Sequence, residues 1–249
     1  MKRIALCILL AVMLLLTACA PSEPAPQESV ETTAEQTTAP VDLTTEEIYQ
    51  SYLKKLCDRL NKIILDDTYL DGLSSEPGMA GVAEMAYHGG VKLLDQYGYI
   101  IRDINGDQVD ELIICAVDES QEASVGKDIL CVFTVSDSQM KLLIEGWSRN
   151  SYFMLDDGTI YQMACNGASN TVFATYTVTQ TNDVVCVDCY FMDADTNGAA
   201  VFLHNTTGET DPAKAEPVEG GEAAFLRIVD GYTQRIQNLE LVVFSAIAE

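Results

Sequence analysis

From Thr44 onward the spacing of apolar residues is first helical, then changes to a strand period, and returns briefly to a helical one near the end. The segment "TTEEIYQSYLKKLCDRLNKIILDD" opens with Thr44 and Glu47 in capping-box spacing. It sets Ile48, Tyr52, Leu56, Leu60 and Ile63 on one stripe, which predicts an amphipathic helix of about five turns. A second helix is expected from Met79 to Leu94, weakened by the Gly89-Gly90 pair. Beyond it come short β-branched and aromatic runs: Tyr99–Arg102, Leu112–Val117, Ile129–Val135, Lys141–Trp147, Tyr152–Leu155, Thr159–Ala164, Val172–Thr179, Val184–Met192 and Ala200–His204. Turn signals such as Asp157-Gly158 separate them, as in a run of hairpins. Glu222–Arg235 reads as a late helix and Leu239–Ala246 as a closing strand. The expected fold is α+β, an antiparallel β-meander sheet packed with an N-terminal helical segment and one late C-terminal helix.

The first residues follow a different pattern. Lys2 and Arg3 precede an apolar run from Ile4 to Leu16, and small residues surround Cys19. This is the layout of an export signal, and its apolar run is shorter than the roughly 20 residues a membrane-spanning helix needs. Leu16-Thr17-Ala18-Cys19 resembles the lipobox of bacterial lipoproteins, in which the cysteine becomes the new N-terminus and carries the lipid. Ordinary cleavage after Ala20 is the rival reading, since Ala18 and Ala20 also satisfy the small-x-small rule. From Ala20 to Leu43 the chain is rich in Pro, Glu and Thr and has almost nothing apolar to bury. The expected organisation is a lipoprotein signal peptide over 1–18, a lipidated Cys19 with a disordered tether over 19–43, and a single α+β domain over 44–249.

Charge narrows the partners. Removing Lys2 and Arg3 from the 14 basic residues leaves 12 against 38 acidic ones, a net charge of −26. Nucleic acid is therefore not an expected partner, and an anionic lipid surface would repel the body, so the membrane would be held through acyl chains such as palmitate. Six cysteines remain beyond Cys19: Cys57, Cys115, Cys131, Cys165, Cys186 and Cys189. Cys186 and Cys189 fall in the strand-like "VVCVDCYF", where residues three apart point to opposite faces, so free and mostly buried thiols are expected. His88 and His204 are the only histidines, and neither sits in a metal-binding pair. The chain has no nucleophile elbow or dinucleotide-binding loop, and Gly126-Lys127 leads into Asp128 rather than into a phosphate-cradling loop. With 38 acids, a suggestive carboxylate pair has no specificity, and no catalytic residue is assigned. The aromatic residues, Trp147 included, are read as core.

One stretch carries readable chemistry. "DINGDQVDEL" spaces Asp103, Asn105 and Asp107 as positions 1, 3 and 5 of a calcium loop, with the Val109 carbonyl at 7 and Glu111 at 9. Position 12 is Ile114 and strands flank the stretch, so it resembles the shorter inter-strand calcium loops of integrin-type repeats rather than a helix–loop–helix site. Position 6, where glycine usually supplies a positive φ, is Gln108. The competing reading is a tight hairpin turned by Asn105-Gly106, which would set Ile100 and Ile101 against acids. A nine-residue ion loop instead returns Leu112–Ile114 beside them and offsets the crowded charge. Asp193-Ala194-Asp195-Thr196-Asn197-Gly198 repeats the start of the pattern, but Val201 and His204 occupy the later ligand positions, which leaves a polar hairpin turn.

Lipobox, tether, helix, "YGYIIRDINGDQVDELII" and then "SRNSYFMLDDGTIYQMACNGASN" together resemble a large, uncharacterised family of lipoproteins from Gram-positive gut anaerobes. Arg149, Tyr152, Asp157, Gly158, Thr159 and Ile160 match a phrase of that family. The resemblance implies the extracytoplasmic, lipid-anchored address and the Ca²⁺ loop, and no activity. The function expected is a non-enzymatic binding role toward an extracellular protein or glycan. The alternative is an extracytoplasmic hydrolase of cell-wall or dietary polymer. Inward acids clustered in an aromatic-lined cleft would mark the enzyme; a shallower face would mark the binder.

Overall fold

The computed structural model describes residues 43–247 apart from 122, 123, 166, 168 and 169. The signal segment, Cys19 and the tether up to residue 42 lie outside the described residues. Helix α1, Thr45–Leu65, starts at the expected capping box: Thr44 accepts from the Glu47 amide, and the Glu47 carboxylate accepts from the Thr44 amide at 2.8 Å. Its buried face is centred on Tyr49, Leu53, Leu56, Cys57, Leu60 and Ile63, so Ile48 and Tyr52 flank the stripe rather than lead it. Tyr49 can lie at the centre because its hydroxyl donates to the carbonyls of Asp110, at 2.9 Å, and Phe133.

Helix α2, Ala80–Gly89, is shorter than the segment expected, because Gly90 turns to φ +57° and the chain continues to Gln96 as a 3₁₀ turn. Strands then follow almost without interruption: β1 Tyr97–Arg102, β2 Glu111–Ala116, β3 Val125–Gly126, β4 Ile129–Ser136, β5 Gln139–Glu145, β6 Asn150–Met154, β7 Ile160–Cys165, β8 Thr171–Val178, β9 Val184–Ala194, β10 Ala200–Asn205 and β11 Glu216–Pro217. Helix α3, Gly221–Thr233, matches the late helix. The closing strand is in fact two pieces. β12, Leu239–Glu240, pairs with β3, whereas β13, Val242–Val243, pairs with β1, and a 3₁₀ turn over Phe244–Ala246 puts Phe244 into the core.

Eleven strands form one antiparallel sheet in the order β11-β10-β9-β8-β7-β6-β4-β2-β1-β13, with β5 sharing the β4 edge on which β6 also pairs, opposite β2. This is the meander, and the α+β class holds. Helices α1 and α2 cover the face that carries Leu112, Ile114, Leu130, Cys131 and Phe133. Ile113, Cys115, Ile129, Val132, Met154 and Ile160 fill the opposite face. α3 packs by Phe225 and Tyr232 on Tyr161, Phe173 and Phe202.

All six cysteines from Cys57 onward are free, four of them buried. The opposed-face argument for Cys186 and Cys189 does not hold. Tyr176 pairs with Cys186 and Thr175 with Asp188, so Val187 is an extra residue in a β-bulge. The bulge turns both thiols to one face, in the cluster of Ala174, Phe191 and Leu203.

Candidate functional site

The ladder between β1 and β2 decides how the acidic stretch is held. Tyr99 pairs with Ile114, Ile100 with Ile113 and Ile101 with Leu112, so apolar residues face apolar residues and Asp103–Asp110 forms the connecting loop. A two-residue turn at Asn105-Gly106 is excluded by that register.

Within the loop Asp103 binds the backbone around itself. Its Oδ1 accepts from the amides of Asn105 at 3.2 Å and Gly106 at 2.6 Å, and its Oδ2 from Gln108 at 3.0 Å. Slight burial opposes the charge, but the amides of Gly106, Gln108, Asn105 and Asp107 outweigh it and hold the carboxyl below the usual carboxylate value. Asn105 and Asp107 each accept from the amide two residues on, at 3.0 and 2.8 Å. Gln108 takes the left-handed conformation, φ +72°, that its loop position demands. Glu111 is fully buried at the mouth of the loop, accepting from the Ile104 amide at 3.0 Å and the Thr134 hydroxyl at 3.1 Å. Burial pushes its carboxyl up, the hydrogen bonds of Ile104 and Thr134 oppose this, and the charges of Asp107 and Asp103 add to the rise. None of Asp103, Asp107 and Glu111 takes part in an ion pair among the described residues.

The loop is also a clamp. Asn105 Nδ2 donates to the Thr179 carbonyl at 3.1 Å and to Asn182 Oδ1 at 2.8 Å, and Gln180 Nε2 donates to the Gly106 carbonyl. These residues form the β8–β9 turn, so the loop fastens a distant hairpin to the end of β1. Among the described residues no three Asp, Glu, His or Cys side chains converge as a metal-holding cluster. The oxygens of Asp103, Asn105, Asp107, Val109 and Glu111 follow the calcium-loop order along the chain, with several engaged by backbone amides.

A second feature had no reading in the sequence. At the opposite end of β1 and β2, about 20 Å from the loop at 3.4 Å per residue, a groove of about 860 Å³ opens between α2 and the sheet. α2 contributes Glu84, Tyr87 and His88, one helical face at spacings of three and four. Trp147, Ser148 and Ser151 form another wall, Glu119 and Asp128 border a third, and Leu70, Ala83, Met85, Val117 and Leu130 supply apolar surface.

This groove is built by specific contacts. Glu145 accepts from the Ala80 amide at the start of α2, at 2.9 Å, and Glu84 accepts from the Ser148 amide at 2.7 Å. A Cβ at Gly81 would meet the Gly146 carbonyl oxygen at 2.6 Å, so glycine lets helix and turn touch. Trp147 stands in that turn, 42 % exposed, and Tyr87 is 73 % exposed. Trp147 is thus not the core residue expected: β5 ends at Glu145, and Gly146 carries the next residue out of the strand. Of the acids, Glu84 and Glu119 lie exposed at the rim and Asp128 is half-buried. Burial raises the Asp128 carboxyl, against the neighbouring charge of Lys127.

The remaining sequence candidates are structural. Asp195 Oδ1 caps the amides of Asn197 and Ala199, and Gly198 has φ +80°, which makes the second acidic stretch the β9–β10 turn. His204 Nε2 lies 2.9 Å from Asp188 Oδ1 and stacks on Tyr190, apart from the groove, whereas His88 is exposed at its edge. In the Arg149–Ile160 stretch, Asp157 accepts from Thr159 and pairs with Arg235, closing the β6–β7 turn. No protein-family model, curated protein or solved structure matches the chain.

Proposed function

We propose that this chain is a lipid-anchored lipoprotein of the extracytoplasmic face that binds an extracellular protein or glycan ligand in the α2–Trp147 groove, with Ca²⁺ in the Asp103–Glu111 loop as a structural ion. The groove carries the binding reading. Its volume of about 860 Å³ falls in the range of ligand sites, and two large aromatic side chains, Trp147 and Tyr87, stand exposed together on its walls. Support for the ion is the loop's path: left-handed Gln108, hard oxygen donors in calcium order and three carboxylates without a cationic partner. When bound, the ion would supply positive charge to Asp103, Asp107 and Glu111 and so tighten the clamp on the β8–β9 turn. Anchoring rests on Leu16-Thr17-Ala18-Cys19 and the tether.

The hydrolase reading retains one supporting observation, the raised carboxyl of Asp128 in an aromatic-flanked groove, which suits a general acid. The other two acids are at the rim, and Glu84 is occupied by Ser148, so an inward pair is missing from the described lining. Binding is the better account.

A photo-crosslinking residue at Tyr87, with Leu226 on the exposed side of α3 as the control, tests the groove in intact cells. Light should yield discrete adducts from position 87 and none from 226. Equal adducts at both positions, or none at 87, would contradict a binding groove.

A further inference from the structure

The lining of the groove points to the chemistry of its occupant. Taking binding at this groove as given, we propose that it accepts a short basic peptide, with lysine or arginine side chains directed at Trp147, Asp128 and Glu119 and apolar side chains on the floor between them.

Three observations select this ligand. Among the described lining residues there are three carboxylates and one histidine, and no lysine or arginine. An anionic ligand would enter against that charge and against the net −24 of the chain. Secondly, carboxylates accept only, and ammonium and guanidinium groups donate only, so a cationic side chain matches Glu119 and Asp128 in both charge and hydrogen bonding. Thirdly, the exposed Trp147 and Tyr87 rings offer π-faces, on which a cation gains most against tryptophan. The apolar surface of Leu70, Met85, Val117 and Leu130 adds a demand that a plain polyamine meets poorly and a peptide alternating apolar and cationic residues meets well. The wall is set in advance, since Glu84, Glu145 and the Gly81–Gly146 contact fix the backbone of the Gly146–Ser148 turn against α2, so less ordering cost falls on the ligand.

Trp147 is the single tryptophan of the chain, so its fluorescence reports occupancy without a label. The full chain would be titrated with a blocked pentapeptide alternating lysine and leucine, its side-chain-acetylated form, a glutamate–leucine counterpart, spermidine and a neutral chitin trisaccharide. The expected result is a saturable change with the lysine peptide alone. Asp128→Asn should weaken it about tenfold, equivalent to about 1.4 kcal/mol. Glu119→Gln, at an exposed position where folding is not at stake, should weaken it by a smaller factor with an unchanged melting curve. Absence of a saturable response to the lysine peptide up to about 1 mM, or equal binding of the acetylated peptide or of spermidine, would overturn the proposal. A response to the trisaccharide alone would also overturn it, while leaving the groove as a binding site.

Discussion

At the scale of single residues, the loop shows what a position demands of a side chain. Gln108 holds φ +72° with no glycine to make it easy. The left-handed conformation costs a non-glycine residue about 1–2 kcal/mol, and glycine would give back about 0.5–1 kcal/mol in unfolded-state entropy. Gln108→Gly should therefore stabilise the fold by about 0.5–1 kcal/mol, a rise in melting temperature of about 1–4 °C; a fall would mean that the side chain contributes more than the backbone loses. Glu111 gives a pH signature. Its folded carboxyl is raised above the ordinary 4.5, so as pH climbs from 4.5 the unfolded chain ionises first, and stability falls until the folded carboxyl has also lost its proton. In chelator, urea unfolding across that window should show this decline in the unmutated protein and lose it in Glu111→Gln. Identical slopes would assign the pH dependence to other groups. The loop was legible in the sequence because a two-residue turn would have set Ile100 and Ile101 against acids, whereas a longer loop sets them against Ile113 and Leu112. The burial of Glu111 was not, since it depends on Thr134 and Tyr49 from distant elements.

Among elements, the sequence reads best where one local rule acts alone. The Thr44–Glu47 box, the strand runs and the late helix all appear where periodicity and capping place them. Failures occur where a tertiary contact or a single irregular residue overrides the period. Gly89-Gly90 ends α2 and diverts the chain into a 3₁₀ turn. Val187 inserts a bulge that brings Cys186 and Cys189 to one face, and a strict period of two cannot foresee an extra residue. Leu239–Ala246 is apolar enough for one strand, yet its two halves pair with β3 and β1 separately. The groove was the least legible feature. Its walls come from α2, the turn after β5 and the ends of β2 and β4, and only the meander brings these together. Gly146-Trp147-Ser148 was the available signal, a glycine releasing a tryptophan from the end of a strand.

At the scale of the whole molecule, the proposed protein combines a lipid anchor, a scaffold stiffened by an ion at Asp103–Glu111 and an open groove. The address rests on Cys19: Cys19→Ser should abolish incorporation of labelled palmitate, and unchanged labelling would remove the lipid anchor from the account. The scaffold's loop and groove lie at opposite ends of the same strand pair, so an ion bound in the loop should act on stability and leave groove affinity nearly unchanged. At calcium about ten times its dissociation constant, binding to the folded state alone contributes about 1.4 kcal/mol. For a body of this size, that is a rise in melting temperature of roughly 3–6 °C. The most direct measurement is therefore a pair of melting curves, in calcium and in chelator, for the unmutated protein and for Asp107→Ala. The account predicts that calcium raises the melting temperature of the first and barely moves that of the second; coincident curves for the unmutated protein would contradict it and leave Asp103–Glu111 as a loop held by its own hydrogen bonds.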